Sequence, residues 1–522
     1  MSKKNQYLVL LMIFLIALCA RLYLALAPNV ITHDGIVYIE NAKLIASGDY
    51  KKIKEINFFN LYPFVMILFQ KIFINWELSG RMASVLFGSL GVIPFFCITR
   101  KLISQNIAIM ATLFYAINPH IVAYSSDVLR EALFWSLFLF ALWTGVEGII
   151  SEKKNKWFFL FLSALFTSLS IWVRLEGIIS IFILFIWGAW LYKIGDIKSR
   201  VFSLNLLAFI TFMLIISLPP LFFLKARLGW WEFGLLGDKI FHIITQNEDL
   251  ETIVKNNIHI MNNAPATVKG FLDISIRHRY ISYASELIYK FIKPLNIVFF
   301  ILALFGVVKR KNLSFIKGEV FFLIWFLIAC ISCYLYVAKI QYLGTRHGLL
   351  MGIPVLMWSG IGFFELSEKI KKRSKAIKIL SQRLTFSTFF IFLFIFLFNV
   401  VVILTSLRED KIELKKAGIY LKEAGLKEKN IATIPQLSRI IFYAEAIPVL
   451  IHEGMSDEEL KSVFSEKKIE YILIDKGLFE NYFHRANSIF NPSYLKKIDI
   501  PAFNTFKEYS LELYQLVYTN KG

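Results

Sequence analysis

Long apolar runs recur along most of this 522-residue chain and restrict its fold more than any other feature does. A run of about 18 or more apolar residues is long enough to cross the hydrocarbon core of a bilayer. Hydrophobic residues make up 57% of the sequence, including 51 phenylalanines, and a soluble protein of this length could not bury so much apolar surface. The sequence therefore predicts a polytopic α-helical membrane protein.

Eleven membrane spans are predicted, and the basic residues between them indicate their direction. The spans are placed near 7–27, 78–99, 103–119, 128–150, 157–173, 176–192, 201–223, 293–308, 319–337, 346–365 and 385–406. Lys and Arg cluster at every second junction, beginning with Lys3 and Lys4 and including 152–156 and 309–317. The positive-inside rule makes those junctions cytoplasmic. We therefore expect a multi-pass protein of the plasma membrane with a cytoplasmic N-terminus, an uncleaved signal anchor and an extracytoplasmic C-terminal domain.

The net charge of +20 does not predict nucleic-acid binding, because the cations lie in short clusters between apolar runs. No nucleic-acid-binding motif is present in the sequence. Cys330 and Cys333 form a CxxC within a predicted span, without a second pair or a nearby histidine. We interpret them as two small residues on one helix face and predict no metal site there.

The composition divides the chain into a membrane domain, 1–407, and a soluble C-terminal domain, 408–522. The membrane domain has two large external loops, 28–77 and 224–292. Within the first loop, the segment 60–76 is apolar but interrupted by proline, which indicates an interfacial or re-entrant segment rather than a full span.

The C-terminal domain has the alternating pattern of an α/β fold. "KKAGIYLKEAGL" predicts a helix, whereas "NIATIP", "IPVLIHEG" and "IEYILIDKG" predict strands. Ser456 and Glu459 form the capping box of another predicted helix. Strands that alternate with helices predict a small α/β sandwich, and the absence of a glycine-rich phosphate loop argues against a nucleotide site.

Asp34 follows the first span, in the stretch "ITHDGIVYIE" on the predicted outer side. One interpretation is a helix N-cap, a role that Thr32 can also fill. The functional interpretation is a carboxylate at the membrane surface that takes a proton from an acceptor hydroxyl. Tyr38, one helical turn after Asp34, is predicted to line the pocket that holds Asp34.

Other charged residues lie at the predicted outer ends of the spans. Asp127, Arg130 and Glu131 precede the fourth span, where Asp127 and Arg130 have the spacing of an ordinary i,i+3 ion pair. Arg174 and Glu176 lie between two apolar runs with almost no loop. They either snorkel to the interface or point into a cavity, and all five residues are candidate pocket-lining residues.

Cations on the outer side are the minority under the positive-inside rule, so several of them there require a reason. The external cations singled out are Lys225, Arg227, Arg279, Arg346 and His347. An anionic group at the outer surface, such as a lipid phosphate, is one reason. For any single residue, an ordinary surface position is an equally good interpretation.

Together these motifs resemble the GT-C superfamily of membrane glycosyltransferases, over about the first 365 residues. In order they are "SGDY", "YPF", "ELSGRMASVLFGSLGVIPFF", "NPHIVAYSSDVLREALF", "VRLEG" and "RHGLLMGIP". The most similar members are bacterial and archaeal proteins related to protein O-mannosyltransferases and to the aminoarabinose transferase acting on lipid A. The resemblance implies transfer of a sugar from a polyprenyl-phosphate-linked donor to an acceptor on the outer face of the membrane, with inversion at the anomeric carbon.

The resemblance also implies roles for individual residues. Asp34 matches the acidic residue of the first external loop and would be the general base, and Glu131 matches the acidic residue where the fourth span begins. Arg346, which precedes a helix containing Pro354, would bind the donor phosphate. The other external cations would assist, namely His347, Arg227, Lys225 and Arg279. Gly35 stands where many relatives have a second acidic residue, so we expect no required cofactor and leave dependence on a divalent metal open.

Two other classes of function compete with the glycosyltransferase. A transporter or flippase of lipid-linked sugars would also use external cations, but it would usually show internal repeats or ionisable residues near the bilayer midplane. A scaffold whose external domain binds a partner would leave the charged residues replaceable. The sugar, the acceptor (a glycan, a lipid or a protein) and the kind of polyprenol are left open by the sequence.

Overall fold

A computed structural model describes most of the chain and divides it into two compact units. The described residues are 3–27, 29–49, 60–151, 155–228, 277–308, 317–340, 342–374, 383–405, 411–451, 455, 457–475, 495–506 and 508–516. One unit lies within Met1–Ala25 and Asn41–Ser406, and the other lies within Leu26–Glu40 and Leu407–Gly522. The first unit is the membrane unit, and the second is the sheet unit.

The membrane unit is built from helices, as the apolar periodicity predicts. In chain order its helices are α1 (Lys3–Leu26), α2 (His33–Ser47, which begins in the sheet unit), α3 (Tyr62–Phe73), α4 (Trp76–Leu90), α5 (Val92–Leu102), α6 (Gln105–Ile117), α7 (Pro119–Tyr124), α8 (Glu131–Ile150), α9 (Lys156–Val173), α10 (Ile179–Lys193), α11 (Ser199–Leu228), α12 (Arg279–Leu295), α13 (Ile297–Val308), α14 (Lys317–Ile340), α15 (Thr345–Ser374) and α16 (Arg383–Thr405).

Among the described residues, eight helical segments are long and apolar enough to cross a membrane, and a bent pair brings the number to nine. Two further predicted spans, 103–119 and 385–406, correspond to shorter apolar helices, Gln105–Ile117 and Ile391–Thr405. The predicted polytopic α-helical architecture is confirmed. The proline-interrupted segment of the first loop forms α3, with Pro63 in its first turn.

Large parts of the two predicted external loops lie outside the described residues, as do the basic stretch at 309–316 and the capping residue Ser456.

The bent pair, α12 and α13, turns by 102° at Asn296. Asn296 has a φ of 75°, a left-handed conformation that asparagine tolerates better than most residues. Its side-chain oxygen accepts a hydrogen bond from the N–H of Val298 at 3.2 Å and so caps α13. Asn118 supports the bend, because its Nδ2 donates to the carbonyl oxygens of Pro294 and Leu295, both at 3.1 Å. The last turn of α12 therefore has partners for carbonyls that a helix end leaves unpaired.

The sheet unit contains a five-stranded mixed sheet. Its strands are β1 (Asn430–Thr433), β2 (Ile447–Leu450), β3 (Tyr471–Asp475), β4 (Leu495–Ile498) and β5 (Leu511–Leu516), in the order β2-β1-β3-β5-β4. β1 pairs with β2 and β3 in parallel, whereas β5 pairs antiparallel with β3 and β4. Its helices are α17 (Ile412–Leu421), α18 (Ser438–Tyr443) and α19 (Asp457–Glu466). The predicted α/β class is confirmed, and β1, β2 and β3 lie where strands were predicted.

Candidate functional site: a buried arginine–carboxylate cluster beside a pocket

The break between α9 and α10 positions the centre of the site. Arg174 is extended there, with φ −151° and ψ 137°, and is followed by one 3-10 turn, Leu175–Ile178. Gly177 makes this break compact, because a Cβ at that position would lie only 2.6 Å from the backbone nitrogen of Ile171. The charged pair that the sequence places between two apolar runs thus points away from both helix axes, toward neighbouring helices.

Arg174 is nearly buried and bound by two carboxylates. Its Nη1 lies 2.5 Å from Glu131 Oε1, and its Nη2 lies 2.5 Å from Glu176 Oε1. The side chains of Arg174 and Glu131 are only 6% and 1% exposed, so these charges are held in a medium of low dielectric constant. A buried pair of this kind persists when each charge is matched and hydrogen-bonded. The alternative of simple snorkelling is therefore wrong for Arg174.

The first turn of α15 brings two more predicted residues to the same cluster. Arg346 Nη1 lies 3.2 Å from Glu131 Oε1, and His347 Nε2 lies 3.1 Å from Arg174 Nη2. Gly348 permits this approach, because a Cβ there would overlap the carbonyl oxygen of Lys290 in α12. The Arg346 side chain is 30% exposed, in contrast with the Arg174 side chain. Arg346 is therefore the arginine of the cluster that a ligand can reach.

A small pocket adjoins the cluster and has an internal volume of about 30 Å³. Its lining residues are Phe134, Trp135, Arg174, Glu176, Ser332, Cys333, Tyr336, Arg346, His347 and Leu350. The ring of Tyr336 stacks on His347, with the ring centroids 4.8 Å apart. The pocket thus combines aromatic walls with a few charged groups at one end, which is the usual composition of a small-molecule site.

The charges of the cluster balance, since two arginines face two carboxylates. One atom nevertheless lacks a protein partner: Glu131 Oε2 is buried and makes no hydrogen bond among the described residues. Leaving a buried carboxylate oxygen without a donor costs free energy. This oxygen is the point at which a hydroxyl group or a water molecule would complete the cluster.

Asp34 lies in the sheet unit, in the first turn of α2. Thr32 caps this helix, because its Oγ1 accepts a hydrogen bond from the N–H of Gly35 at 3.1 Å. The helix therefore has a cap without Asp34, and Tyr38 lies one turn further on the same face of α2. Two contacts to α18 anchor this segment: the N–H of Ile31 donates to Tyr443 Oη at 3.0 Å, and His33 Nδ1 lies 3.1 Å from Ser438 Oγ.

The other predicted site residues are spread over several elements. Asp127 is buried and accepts from the N–H of Val128 at 2.8 Å, and Arg130 donates to the carbonyl of Val173 at 3.3 Å. Arg279, at the start of α12, lies over the ring of Tyr280. The remaining two, Lys225 and Arg227, are in the last turns of α11, and their side chains lie outside the described part of the chain.

Sequence reasoning missed the aromatic wall of the pocket and one buried cation. Phe134, Trp135 and Tyr336 lie within long apolar runs and carry no local signal that separates them from other core residues. Arg21, in α1, is fully buried and was not singled out. An ionisable residue inside a predicted span is itself a signal, and it could have found Arg21.

Part of the membrane unit matches a known protein family. Residues 60–223 match the family model of dolichyl-phosphate-mannose-protein mannosyltransferases, which is less than half of the chain. This range includes α3 to α10 and the carboxylates and Arg174 of the cluster. No curated protein sequence matches the chain.

Two solved structures share the fold at low sequence identity. The archaeal oligosaccharyltransferase AglB from Archaeoglobus fulgidus, in complex with an inhibitory peptide and a dolichol-phosphate, has 13% identity and a TM-score of 0.57 over 95% of this chain and 73% of that chain. ArnT from Cupriavidus metallidurans, bound to undecaprenyl phosphate, has 11% identity and a TM-score of 0.54 over all of both chains. The fold is that of GT-C membrane glycosyltransferases, and the resemblance predicted from the motifs is confirmed.

A metal is present in another structure of the Archaeoglobus fulgidus oligosaccharyltransferase, a complex with Zn and sulfate. In the part of this chain that the structure describes, no three His, Cys, Asp or Glu side chains are grouped to hold a metal ion. The two carboxylates of the pocket are already bound by Arg174, and a guanidinium at that distance repels a divalent cation. The described residues of this cluster do not fit a metal site.

Proposed function

We propose that this protein is a multi-pass membrane glycosyltransferase that moves a sugar from a polyprenyl-phosphate-linked donor to an acceptor on the outer face of the membrane. The observation that carries the proposal is the cluster of Arg346, Arg174 and Glu131 beside an aromatic pocket, within a GT-C fold. The donor is proposed because two structures with this fold contain dolichol-phosphate and undecaprenyl phosphate. The outward orientation is proposed from the distribution of the basic junctions.

The arginine cluster would stabilise the leaving group. When the bond from the anomeric carbon to the phosphate oxygen breaks, negative charge develops on the polyprenyl phosphate. Arg346 is the partly exposed cation, and its planar guanidinium can bind two phosphate oxygens at once. Its partner Glu131, which Arg174 fixes in turn, holds it in place before the reaction, and preorganised donors are the kind that accelerate charge-forming steps.

Glu131 Oε2 would bind the sugar. It is a buried acceptor that lacks a hydrogen-bond partner among the described residues, and a sugar presents several hydroxyl donors. The stacked rings of Tyr336 and His347 form an aromatic wall of the pocket that adjoins the cluster. This arrangement supports a polar, ring-shaped ligand better than a purely apolar one.

Asp34 would be the general base. In this step the Asp34 carboxylate takes the proton of an acceptor hydroxyl, the hydroxyl oxygen forms a bond to the anomeric carbon, and the polyprenyl phosphate leaves with the bonding electrons. Attack opposite the leaving group inverts the configuration. The assignment is supported by the match of Asp34 to the acidic residue of the family's first external loop, and by Thr32, which caps α2 without it.

The test uses the purified full chain in detergent, a panel of polyprenyl-phosphate sugars and a membrane extract of the host as the source of acceptor. The release of free polyprenyl phosphate is measured for the parent, for Asp34→Asn and for the control Asp49→Asn, which removes a carboxylate just after α2 ends. Release by the parent and the control, with a loss of about 10²- to 10⁴-fold in Asp34→Asn, supports the proposal.

Two other results would count against parts of the proposal. Release by Asp34→Asn at the rate of the parent would remove Asp34 from the chemistry while leaving the transferase in place. The absence of release with every donor, together with movement of a lipid-linked sugar across vesicle membranes that contain the protein, would indicate a flippase instead.

A further inference from the structure

A second cleft lies between four helices of the membrane unit, apart from the arginine cluster. Its internal volume is about 40 Å³. Its lining residues are Gly145, Ile149, Leu160, Ser163, Ile181, Leu184, Phe185, Phe202, Asn205, Leu206 and Phe209. They come from α8, α9, α10 and α11, and nearly all of them are apolar. Phe185 and its neighbours on α10 are exposed on the apolar outer surface of the helices, so the cleft opens toward lipid.

Asn205 is the exception in this cleft. It is 5% exposed, and neither its Oδ1 nor its Nδ2 has a hydrogen-bond partner among the described residues. The hydroxyl of Ser163, the other polar residue in the lining, already donates to the carbonyl of Ala141 at 2.9 Å. In an apolar medium an amide without partners is strongly disfavoured. The position of Asn205 therefore points to a ligand that offers it a hydrogen bond.

A cation directly precedes the helix that carries Asn205. Phe202, Asn205 and Phe209 are spaced by three and four residues, which places them on one face of α11. Lys198 is the residue directly before α11, and its carbonyl accepts a hydrogen bond from the N–H of Phe202 at 3.0 Å. Lys198 is exposed where α11 begins. Lys198 thus lies at the start of the helix whose Phe202 and Asn205 line the apolar cleft.

The aromatic ring of Phe202 is held in place on both sides. Phe202 stacks on Tyr192, with the rings 8° from parallel, and its centroid lies 5.9 Å from that of Phe185. The cleft therefore has a fixed aromatic wall. Lys193, at the end of α10, is another exposed cation at this end of the helices, whereas Lys317 is paired with Asp196 at 2.7 Å.

We propose that this cleft binds an anionic glycerophospholipid from the leaflet at the basic end of α11. An acyl chain would lie in the apolar cleft, an ester carbonyl would accept a hydrogen bond from Asn205 Nδ2, and the headgroup phosphate would pair with Lys198. The charge on the occupant is argued from the exposed cations at that end of the helices, because basic pockets between membrane helices favour anionic headgroups. The proposal does not rest on the proposed transferase activity.

The test measures lipid retained by the full chain after transfer from nanodiscs made of equal parts phosphatidylglycerol and phosphatidylcholine into mild detergent. Native mass spectrometry gives the lipids bound per protein for the parent, Asn205→Leu, Lys198→Gln and the control Arg200→Gln. Arg200 is a cation two residues from Phe202, on the opposite side of α11. We expect the parent and the control to retain one phosphatidylglycerol, and Asn205→Leu and Lys198→Gln to retain at least fivefold less.

Several results would overturn the proposal. The first is that the parent and Lys198→Gln retain the same amount of phosphatidylglycerol. The second is that the parent retains phosphatidylglycerol and phosphatidylcholine equally. The third is that the parent is a dimer and Asn205→Leu is a monomer. Added polyprenyl phosphate that replaces phosphatidylglycerol in the parent but not in Asn205→Leu would also overturn it. Lys198 is on the surface, so its variant decides the matter even if Asn205→Leu does not fold.

Discussion

Two arginines of the membrane unit are both buried, but they are held in different ways. Arg174 is matched by the carboxylates of Glu131 and Glu176 and lies beside a pocket. Arg21 is fully buried in α1, and its Nη1 donates to the carbonyl oxygens of Ala17 and Ala116 at 3.0 and 3.1 Å.

Arg21 is held by weaker partners. Its guanidinium lies 6.0 Å from the ring centre of Tyr115, and its Nε and Nη2 have no hydrogen-bond partner among the described residues. The comparison teaches that burial of a charge does not by itself indicate a functional site. Convergence of several charges from distant segments on one pocket is the more informative feature, and Arg174 has it whereas Arg21 does not.

The largest effect is expected from Arg174→Met, which would break the cluster. Removing one partner of a buried ion pair leaves the other charge uncompensated, and the cost is about 3 kcal/mol or more. We expect a clear drop in the thermal unfolding temperature in detergent and a complete loss of polyprenyl phosphate release. An unfolding temperature equal to that of the parent would mean that Arg174 and Glu131 are not paired as described.

The double variant Arg174→Met with Glu131→Leu separates stability from activity. Replacing a buried ion pair by apolar residues of similar volume is often neutral. We expect the double variant to unfold closer to the parent than Arg174→Met does, but to remain inactive, because the pocket has lost its charges. Recovery of activity together with stability would show that the cluster is architectural, like Arg21.

Arg21→Met should have a much smaller effect. The substitution removes a buried charge that has no carboxylate partner among the described residues and keeps a long side chain, so stability should stay within about 1 kcal/mol of the parent. We expect release of polyprenyl phosphate to be retained. Arg21→Ala is the matched variant, since it leaves a cavity and should be less stable than Arg21→Met. A loss of activity in a folded Arg21→Met would place Arg21 in the functional machinery.

The smallest effect is expected at a surface ion pair of the sheet unit. A hydrogen bond from Lys422, assisted by Lys427, lowers the pKa of the Glu445 carboxyl below its ordinary value of 4.5. The contribution of the ionised Glu445 carboxylate to stability is therefore present at neutral pH and is lost as the pH falls below 4.5. Exposed pairs contribute about 1 kcal/mol or less, so Glu445→Gln should barely change the free energy of unfolding at pH 7. In acid, the variant should lose slightly less of that free energy than the parent does. A large change at pH 7 would contradict this.

Much of the fold follows from local patterns, whereas the site depends on contacts between distant segments. Apolar runs predict most spans within a few residues, and alternation predicts β1 and β3. β5 was not predicted, because "LELYQL" alternates between apolar and polar residues only over its first three positions. The bend at Asn296 could not be predicted, because it depends on Asn118, far away in the chain.

The same distinction applies to the candidate site. Glu131, Arg174, Glu176, Arg346 and His347 were predicted from charges at the ends of spans, and packing brings all five together, while their roles stay predictions. No spacing rule could pair Arg346 with Glu131, which lies more than 200 residues earlier. The roles of Asp34, Lys225, Arg227 and Arg279 stay predictions.

The central claim is that Arg346 presents a binding site for lipid phosphate, and direct binding of polyprenyl phosphate tests it. The affinity is measured for the purified parent, for Arg346→Gln and for the control Arg100→Gln, which removes an exposed arginine at the end of α5. We predict that the parent and the control bind equally and that Arg346→Gln binds at least tenfold more weakly, since a charge-assisted hydrogen bond is worth about 1.5–3 kcal/mol. Equal affinity in all three proteins would contradict the account.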